Sequence, residues 1–260
     1  MKTRRVPLMS KRFFVDEPVV GERTQLTGSE AEHLIRVLRA KPGDEVILFD
    51  DSGWEYPSRI VALGRSLVDL LILQRQQIDR ELSPPLLLAV ALPKGDRQRW
   101  LVEKMVELGV TELIPLKTDR GVAQPVDRAL QRLRRAVVEA SKQCGRNRLM
   151  TITQPRTISE CLAAAPHECQ FWLAHPGGCS EPLHQLLASA KPLPILAMVG
   201  PEGGFSDQEI ATCGPECRRI SLGCRTLRIE TAALALASVV SLITRDDSVG
   251  PFFCQNSPCA

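Results

Sequence analysis

No apolar run in this sequence approaches the ~18 residues needed to cross a bilayer. The basic opening, with Lys2, Arg4, Arg5, Lys11 and Arg12 ahead of Phe14, also lacks the apolar core of a secretory signal. A cytoplasmic chain without membrane contact is expected. A disulfide framework is missing too: the nine cysteines are odd in number and irregularly spaced, which fits free, buried thiols. Cys213 and Cys217, with Cys224 nearby, invite a metal-site reading, but the Cys-x-x-Cys pairs and histidines of a zinc site are absent, so no metal is expected. The common phosphate signatures are likewise missing. No Gly-Lys-Ser/Thr triplet follows Gly200, and Gly200, Gly203 and Gly204 do not supply Gly-x-Gly-x-x-Gly. Nor does the net charge of +3, taken over the whole chain, point to any partner.

A length of 260 residues suits one large or two modest domains with a real core. The paired prolines of Ser83-Pro84-Pro85 mark the boundary, giving domains at residues 1–82 and 83–245 and a polar, disordered tail at 246–260. The first domain reads as a small β-rich module. Ser29 with Glu32 has capping-box spacing for a helix through Leu34, Val37 and Leu38; strands follow at Glu45–Phe49, Trp54–Leu63 and Leu67–Leu73. His33, Arg36 and Arg39 recur at helical spacing and share much of one face. His33 reads either as a structural histidine or as a catalytic one.

Beyond the prolines, strand and helix patterns alternate, the signature of an α/β parallel sheet. Leu86–Leu92 is a buried-strand run. A helix through Trp100, Leu101, Met105 and Leu108 then stops at Gly109, and Thr111–Leu116, Phe171–Ala174 and Ile195–Val199 are further strands. In the helix over Pro125–Cys144, apolar residues at Val126, Leu130, Leu133, Val137, Ala140 and Cys144 form a core stripe, while Arg128, Arg132, Arg135 and Lys142 mostly project elsewhere. From Arg120 to Arg148, seven arginines and one lysine face only Asp127 and Glu139, a surplus of positive charge twice that of the whole chain. Such a stripe is either a nucleic-acid surface or a solvated helix face.

The densest signal lies late in the chain. Ile195–Val199 leads into Gly200-Pro-Glu-Gly-Gly-Phe205, whose glycines let backbone approach a ligand closely; Ser206 to Glu209 has capping-box spacing for the next helix. A tight turn without ligand accounts for this loop equally well. After a second short strand at Arg218–Leu222, Gly223 permits another close approach, and Leu227-Arg-Ile-Glu-Thr231 opens the apolar run Ala232–Ile243, expected to be buried on most faces. Arg228 and Glu230 thus sit at the mouth of an apolar helix, where charge needs a partner or a task.

These residues together resemble the SPOUT methyltransferases, and most closely the RsmE family, which methylates N3 of a uridine in 16S ribosomal RNA. The resemblance also rests on His33-Leu-Ile-Arg-Val-Leu-Arg39 with Pro42-Gly-Asp44, on Lys94-Gly95, Glu107-Leu-Gly-Val110 and Asp119-Arg120, and on Glu139-Ala-Ser-Lys-Gln-Cys-Gly-Arg146. It runs from about Arg12 to Arg245. Asp119 stands where the family commonly has glutamate, and Met150 lies near a proline common there.

The resemblance implies a SPOUT-type parallel sheet with a C-terminal trefoil knot, preceded by a small PUA-like β-barrel that docks RNA. It implies S-adenosylmethionine held by Gly200, Gly203, Gly204, Leu222, Gly223 and Leu227, and RNA held by Arg12, Arg36, Arg39, Arg120, Arg146 and Asn147. It implies a homodimer, with 16S rRNA in the assembled 30S subunit as substrate. Arg228 would stabilise negative charge on the uracil oxygens, and Glu230 would act as base, orient Arg228 or cap the helix.

Overall fold

Short apolar runs separated by helical ones become, in the computed structural model, a parallel sheet with helices against it. The structure describes residues 11–121, 127–175, 181–182 and 192–243. Lys2, Arg4 and Arg5, Pro125 and Val126, and the 246–260 tail lie outside the described residues. Two compact units result. One runs to Glu81 and takes back Gln131–Met150; the other is Leu82–Leu130 with the chain from Thr151 onward.

The first unit contains β1 (Arg12–Phe14), β2 (Arg23–Thr27), α1 (Gly28–Glu32) continued by a π turn over His33–Val37, β3 (Glu45–Phe49), β4 (Trp54–Leu63), β5 (Leu67–Ile72) and β6 (Gln76–Gln77). β3, β4 and β5 form the antiparallel meander expected from their alternation. β1, parallel to β3, and β2, antiparallel to β5, were not among the strands read from sequence. The order is β1-β3-β4-β5-β2, so the described residues form an open sheet with β1 and β2 at its edges, not a closed barrel. Phe13, Leu26, Leu34, Leu48, Tyr56, Ile60 and Leu70 fill its core.

Two expectations for this unit are corrected. Thr27, not Ser29, is the N-cap, and it makes no side-chain capping bond, because β2 runs straight into the helix while Thr27 is still extended. The π turn over His33–Val37 then holds more residues per turn than an α-helix, so three-residue spacing no longer marks one face. Leu38 caps its end, and Arg39 beyond it has a φ of 49°. His33, Arg36 and Arg39 are all exposed, but not as a helical row.

The second unit carries β7 (Leu86–Val90), α2 (Arg97–Glu107), β8 (Glu112–Pro115), the start of α3 (Asp127–Cys144), β9 (Thr151–Ile152), α4 (Ile158–Ala163), β10 (Gln170–Ala174), β11 (Glu181–Pro182), β12 (Ile195–Val199), α5 (Asp207–Thr212), β13 (Cys217–Ser221) and α6 (Ile229–Ile243). The strand order is β11-β13-β10-β12-β7-β8-β9, and every pairing is parallel. β7 and β12 lie at the centre with all residues buried, which is why their sequences are unbroken apolar runs rather than alternating ones. Leu87, Ala89, Leu196 and Met198 join Ile114, Leu173 and Phe205 in one core layer. Their alternates Leu86, Leu88, Ile195 and Ala197 face the other way, and α6 rests on β7, β12 and α2.

Helix α2 ends as expected, with Leu108 as C-cap and Gly109 after it. Helix α4 was not read from sequence, although Thr157 and Glu160 form a complete capping box. Helix α6 is less buried than its composition suggested. Ala233, Leu236, Ala237 and Val240 are fully buried, whereas Leu234, Ala235 and Ser238 are half-buried and Thr231 and Leu242 exposed, because only one side of the helix lies on the sheet. Among the described residues no helix is long and apolar enough to cross a membrane.

Candidate active site

In parallel sheets, ligands collect outside the carboxyl ends of strands where the strand order reverses. Here β7 has its successor β8 on one side and the late strand β12 on the other. The segments leaving β7 and β12 at that end surround a cavity of about 210 Å³, lined by Lys94, Arg97, Gly121, Pro201, Glu202 and Ile229 among others. The late glycine loop and the start of the late helix, singled out from sequence, therefore share a crevice with a segment 100 residues earlier.

The three glycines of the loop have three different environments. A Cβ on Gly200 would lie 2.9–3.1 Å from the Phe205 ring, so the ring packs closely against the backbone there. A Cβ on Gly203 would meet the Arg120 stem at 3.4 Å, an ordinary contact. Gly204 has a φ of +69°, which disfavours a side chain, and a Cβ there would enter open space. The Gly204 N–H donates to the Pro201 carbonyl at 2.8 Å, closing the turn. The expected capping box at its end is present: the Glu209 N–H donates to Ser206 Oγ, and the Ser206 N–H to Glu209 Oε2.

A segment after β8 grips this loop. Arg120 Nη1 donates to the Gly203 carbonyl at 2.8 Å and reaches the Phe205 carbonyl at 3.5 Å. One residue earlier, the Asp119 N–H donates to Glu209 Oε1 at 3.0 Å, and Asp119 Oδ2 accepts from Ser206 Oγ at 2.5 Å. The second loop is more open. Gly223 has a φ of +110° with nothing within 4 Å of a Cβ position, and its N–H donates to Ser221 Oγ at 3.4 Å. Leu222 and Leu227 are half-buried, and Arg228 is exposed.

Glu230, in the first turn of α6, is 8% exposed. Its Oε1 accepts from Arg97 Nη1 at 3.2 Å, while Oε2 is buried with no hydrogen-bond partner among the described residues. The carboxylate is thus paired with Arg97 and not, as one expectation had it, with Arg228. Arg97 opens helix α2, whose first turn has no acidic residue. A cation there opposes the helix dipole, and Glu230 offsets that. Sequence reading noted Lys94-Gly95 but missed Arg97; the only signal was a cation in the turn after a buried strand.

The residues expected to hold RNA separate into two groups. Arg36 and Arg39 are exposed, as are Arg128, Arg132, Arg135 and Arg148 of the basic stretch. Arg12, Arg146 and Asn147 are committed inside the first unit. Arg12 Nη1 donates to Glu55 Oε2 at 2.9 Å and Nη2 to Asn147 Oδ1, with its side chain 7% exposed. Arg80 donates to the same Glu55 oxygen at 3.2 Å and to the Gly145 carbonyl at 2.8 Å. Arg146 forks onto Glu81, and Asn147 Nδ2 donates to the Ile78 carbonyl. Burial pulls the Arg12 pKa down, opposed by its hydrogen bond to Glu55. Guanidinium groups so enclosed brace the unit; Arg120, though exposed, directs Nη1 onto the glycine loop.

The described cysteines are free, with Cys161, Cys213 and Cys217 buried and Cys224 exposed. Burial pushes the Cys161 thiol up to about 12. Cys213 and Cys217 hydrogen-bond to each other, which lowers the first and raises the second. Among the described residues no group of three or more His, Cys, Asp or Glu side chains is placed to hold a metal.

With this geometry in hand, comparison with known proteins is direct. Residues 80–241 match the model of the RNA methyltransferase domain family, and residues 26–73 that of the RNA methyltransferase PUA domain. The chain is 31% identical over 241 residues to ribosomal RNA small subunit methyltransferase E of a Synechocystis strain, covering 91% of this chain and 79% of the relative. It is 28% identical to the protein of the same name from Bacillus subtilis, over 84% of this chain and 90% of that one. A crystal structure of ribosomal RNA small subunit methyltransferase E from Neisseria gonorrhoeae bound to S-adenosyl methionine superposes with a TM-score of 0.80 at 29% identity, over 90% of this chain and 98% of that one.

Proposed function

The chain belongs to the RNA methyltransferase family that includes ribosomal RNA small subunit methyltransferase E, and from that premise we propose that it transfers a methyl group from S-adenosylmethionine to N3 of a uridine in 16S rRNA. The observation that carries this is the crevice at the carboxyl ends of β7 and β12, which brings the glycine loop, the start of α6 and two cations to one cavity. The residues fit the donor. Cβ positions on Gly204 and Gly223 meet nothing within 4 Å, so neither loop is packed over at those glycines; the cavity itself is lined by their neighbours Pro201, Glu202 and Ile229, and the Glu202 carboxylate suits a cation. We assign Gly200, Gly203, Gly204, Leu222, Gly223 and Leu227 to the walls that hold it.

S-Adenosylmethionine, when bound, supplies an electrophilic methyl on a sulfonium. The chain's part is to place N3 in line with it and to manage the N3 proton, because neutral uracil has no in-plane lone pair there. Arg228, exposed and without an ion pair to any described residue, is free to stabilise negative charge spreading onto the uracil oxygens. Glu230 holds Arg97 at the cavity wall, so a second guanidinium faces the same space. Arg36 and Arg39, with the exposed Arg132 and Arg135 of the same unit, are assigned to RNA.

The family reading extends to a trefoil knot within the second unit, supported by insertion of the late strand β12 between β10 and β7. It extends to a homodimer, supported by the uncovered apolar side of α6 and by Trp100, 47% exposed on the helix beside it. It extends also to the 30S subunit as substrate and the cytoplasm as the place of action. The test is methylation of 30S subunits lacking the modification, followed by mass spectrometry of the product nucleosides. The expected product is 3-methyluridine; a ribose-methylated nucleoside would move the acceptor, and no product would remove the reading. Arg228→Ala should abolish transfer while leaving donor affinity within about threefold; unaltered turnover would end that residue's assignment.

A further inference from the structure

The grip of Asp119 and Arg120 on the glycine loop points to a role different from RNA contact. We propose that Asp119-Arg120 is a positioning element for the cofactor: it fixes the Gly200–Ser206 loop in its binding shape from outside the ligand's space. This rests on the reading of the crevice as a methyl-donor site.

From within, the loop is held by the buried Phe205 ring against Gly200 and by one backbone bond, from the Gly204 N–H to the Pro201 carbonyl. Glycines at 200, 203 and 204 leave the unbound chain many conformations to lose. The outside contacts supply what is missing, from the middle of the loop to its end. Arg120 takes two carbonyls, Gly203 at 2.8 Å and Phe205 at 3.5 Å, and its stem lies 3.4 Å from where a Gly203 Cβ would be. Asp119 takes the loop's last hydroxyl, Ser206 Oγ, and its own N–H reaches the Glu209 carboxylate that also receives the Ser206 N–H. The capping box of α5 is therefore shared with a segment some 90 residues earlier, and two neighbouring residues secure two points of the loop three residues apart.

The same segment forms part of the cavity wall. Gly121 lines the cavity and its N–H donates to the Thr118 carbonyl at 3.0 Å, so residues 118–121 make a tight turn beside the ligand space. A loop pre-set by this turn needs less ordering when it closes on a ligand, and the saving appears as affinity. An arginine used in this way contributes through donor geometry, whereas an arginine on a phosphate contributes through charge and counterion release. The two roles separate experimentally.

Binding of S-adenosylhomocysteine, the demethylated product, is measured by calorimetry for wild type, Arg120→Ala, Arg120→Lys and Asp119→Asn. Binding of an rRNA fragment is followed against salt for the same proteins. We expect Arg120→Ala to weaken S-adenosylhomocysteine about tenfold or more, the scale of losing a charge-assisted hydrogen bond, with the RNA salt dependence unchanged. Arg120→Lys, able to reach one carbonyl, should recover part of that loss, and Asp119→Asn, which keeps its N–H and an acceptor oxygen, should lose less than Arg120→Ala. The proposal is overturned if Arg120→Ala binds S-adenosylhomocysteine like wild type, or if it lowers the logarithmic salt slope of RNA binding by about one, the mark of a lost phosphate contact. If Arg120→Ala fails to fold, the lysine and asparagine variants decide by the same criteria. A wild-type protein that binds no S-adenosylhomocysteine would instead strike the methyl-donor reading itself.

Discussion

The glycine loop allows a graded test, because alanine at each of its three glycines meets a different obstacle. At Gly200 the new methyl would sit 2.9 Å from a carbon of the Phe205 ring, and Phe205 is 4% exposed within the core layer beneath the loop. The ring can yield only by pushing on Leu196, Met198 and their neighbours, so the overpacking cost is about 1–3 kcal/mol. At Gly204 the space is open but the φ of +69° is not, and a Cβ there costs about 1–2 kcal/mol. At Gly203 the methyl meets the Arg120 stem at 3.4 Å, so Gly203→Ala should be neutral or gain the ~0.4–1 kcal/mol that comes from restricting the unfolded chain. Thermal or urea unfolding, with S-adenosylhomocysteine binding in parallel, should therefore rank Gly200→Ala and Gly204→Ala well below Gly203→Ala. Replacing Phe205 with leucine should reduce the penalty of Gly200→Ala non-additively, with a coupling of at least ~0.5 kcal/mol. If Gly203→Ala melts as low as Gly200→Ala, the assignment of separate obstacles is wrong.

Arg12→Ala should destabilise the first unit, because it leaves the buried Glu55 with Arg80 alone; urea unfolding should show a loss near the lower end of the ~3–5 kcal/mol typical of a broken buried pair. Arg36→Ala should leave that midpoint unchanged and reduce the salt slope of RNA binding; the opposite pattern would restore Arg12 to the RNA surface and remove Arg36 from it. Arg97→Ala should lower kcat more than donor affinity, since it strands the buried Glu230 carboxylate, and Glu230→Gln should retain more activity than Arg97→Ala; loss of donor affinity in both with kcat unchanged would give the pair a role in binding alone. N-ethylmaleimide near pH 7.5 should modify the exposed Cys224, more slowly with S-adenosylhomocysteine present, and spare buried Cys161, whose thiol is held up near 12; peptide mapping that finds Cys161 modified as fast as Cys224 would contradict its burial.

Much of the second unit was legible because its signals are local. Ile195–Val199 is apolar throughout because both faces of β12 are covered, and the capping box at Ser206 and Glu209 needs only four residues to be seen. Helix α4 carried the same kind of signal in Thr157 and Glu160 and could have been read. What stayed hidden depends on residues far apart. Nothing in the neighbourhood of Glu230 indicates that its partner is Arg97, nor does anything near Arg12 foretell Glu55 and Asn147. Arginine written in sequence has the same appearance whether it grips a phosphate or braces a fold; only burial separates Arg36 from Arg146. The first unit's β1 and β2 were missed for another reason: β1 has three residues, and both strands gain their structure from partners more than 30 positions away.

The return of Gln131–Met150 to the first unit bears on how the protein is made and how it can be cut. A fragment ending at Ser83 would lack Asn147 and Arg146, and so would release the amide that fixes Arg12 and the guanidinium that fixes Glu81. During synthesis the amino-terminal module must wait, its ionic centre incomplete, until residue 150 has left the ribosome and the first strands of its neighbour have already emerged.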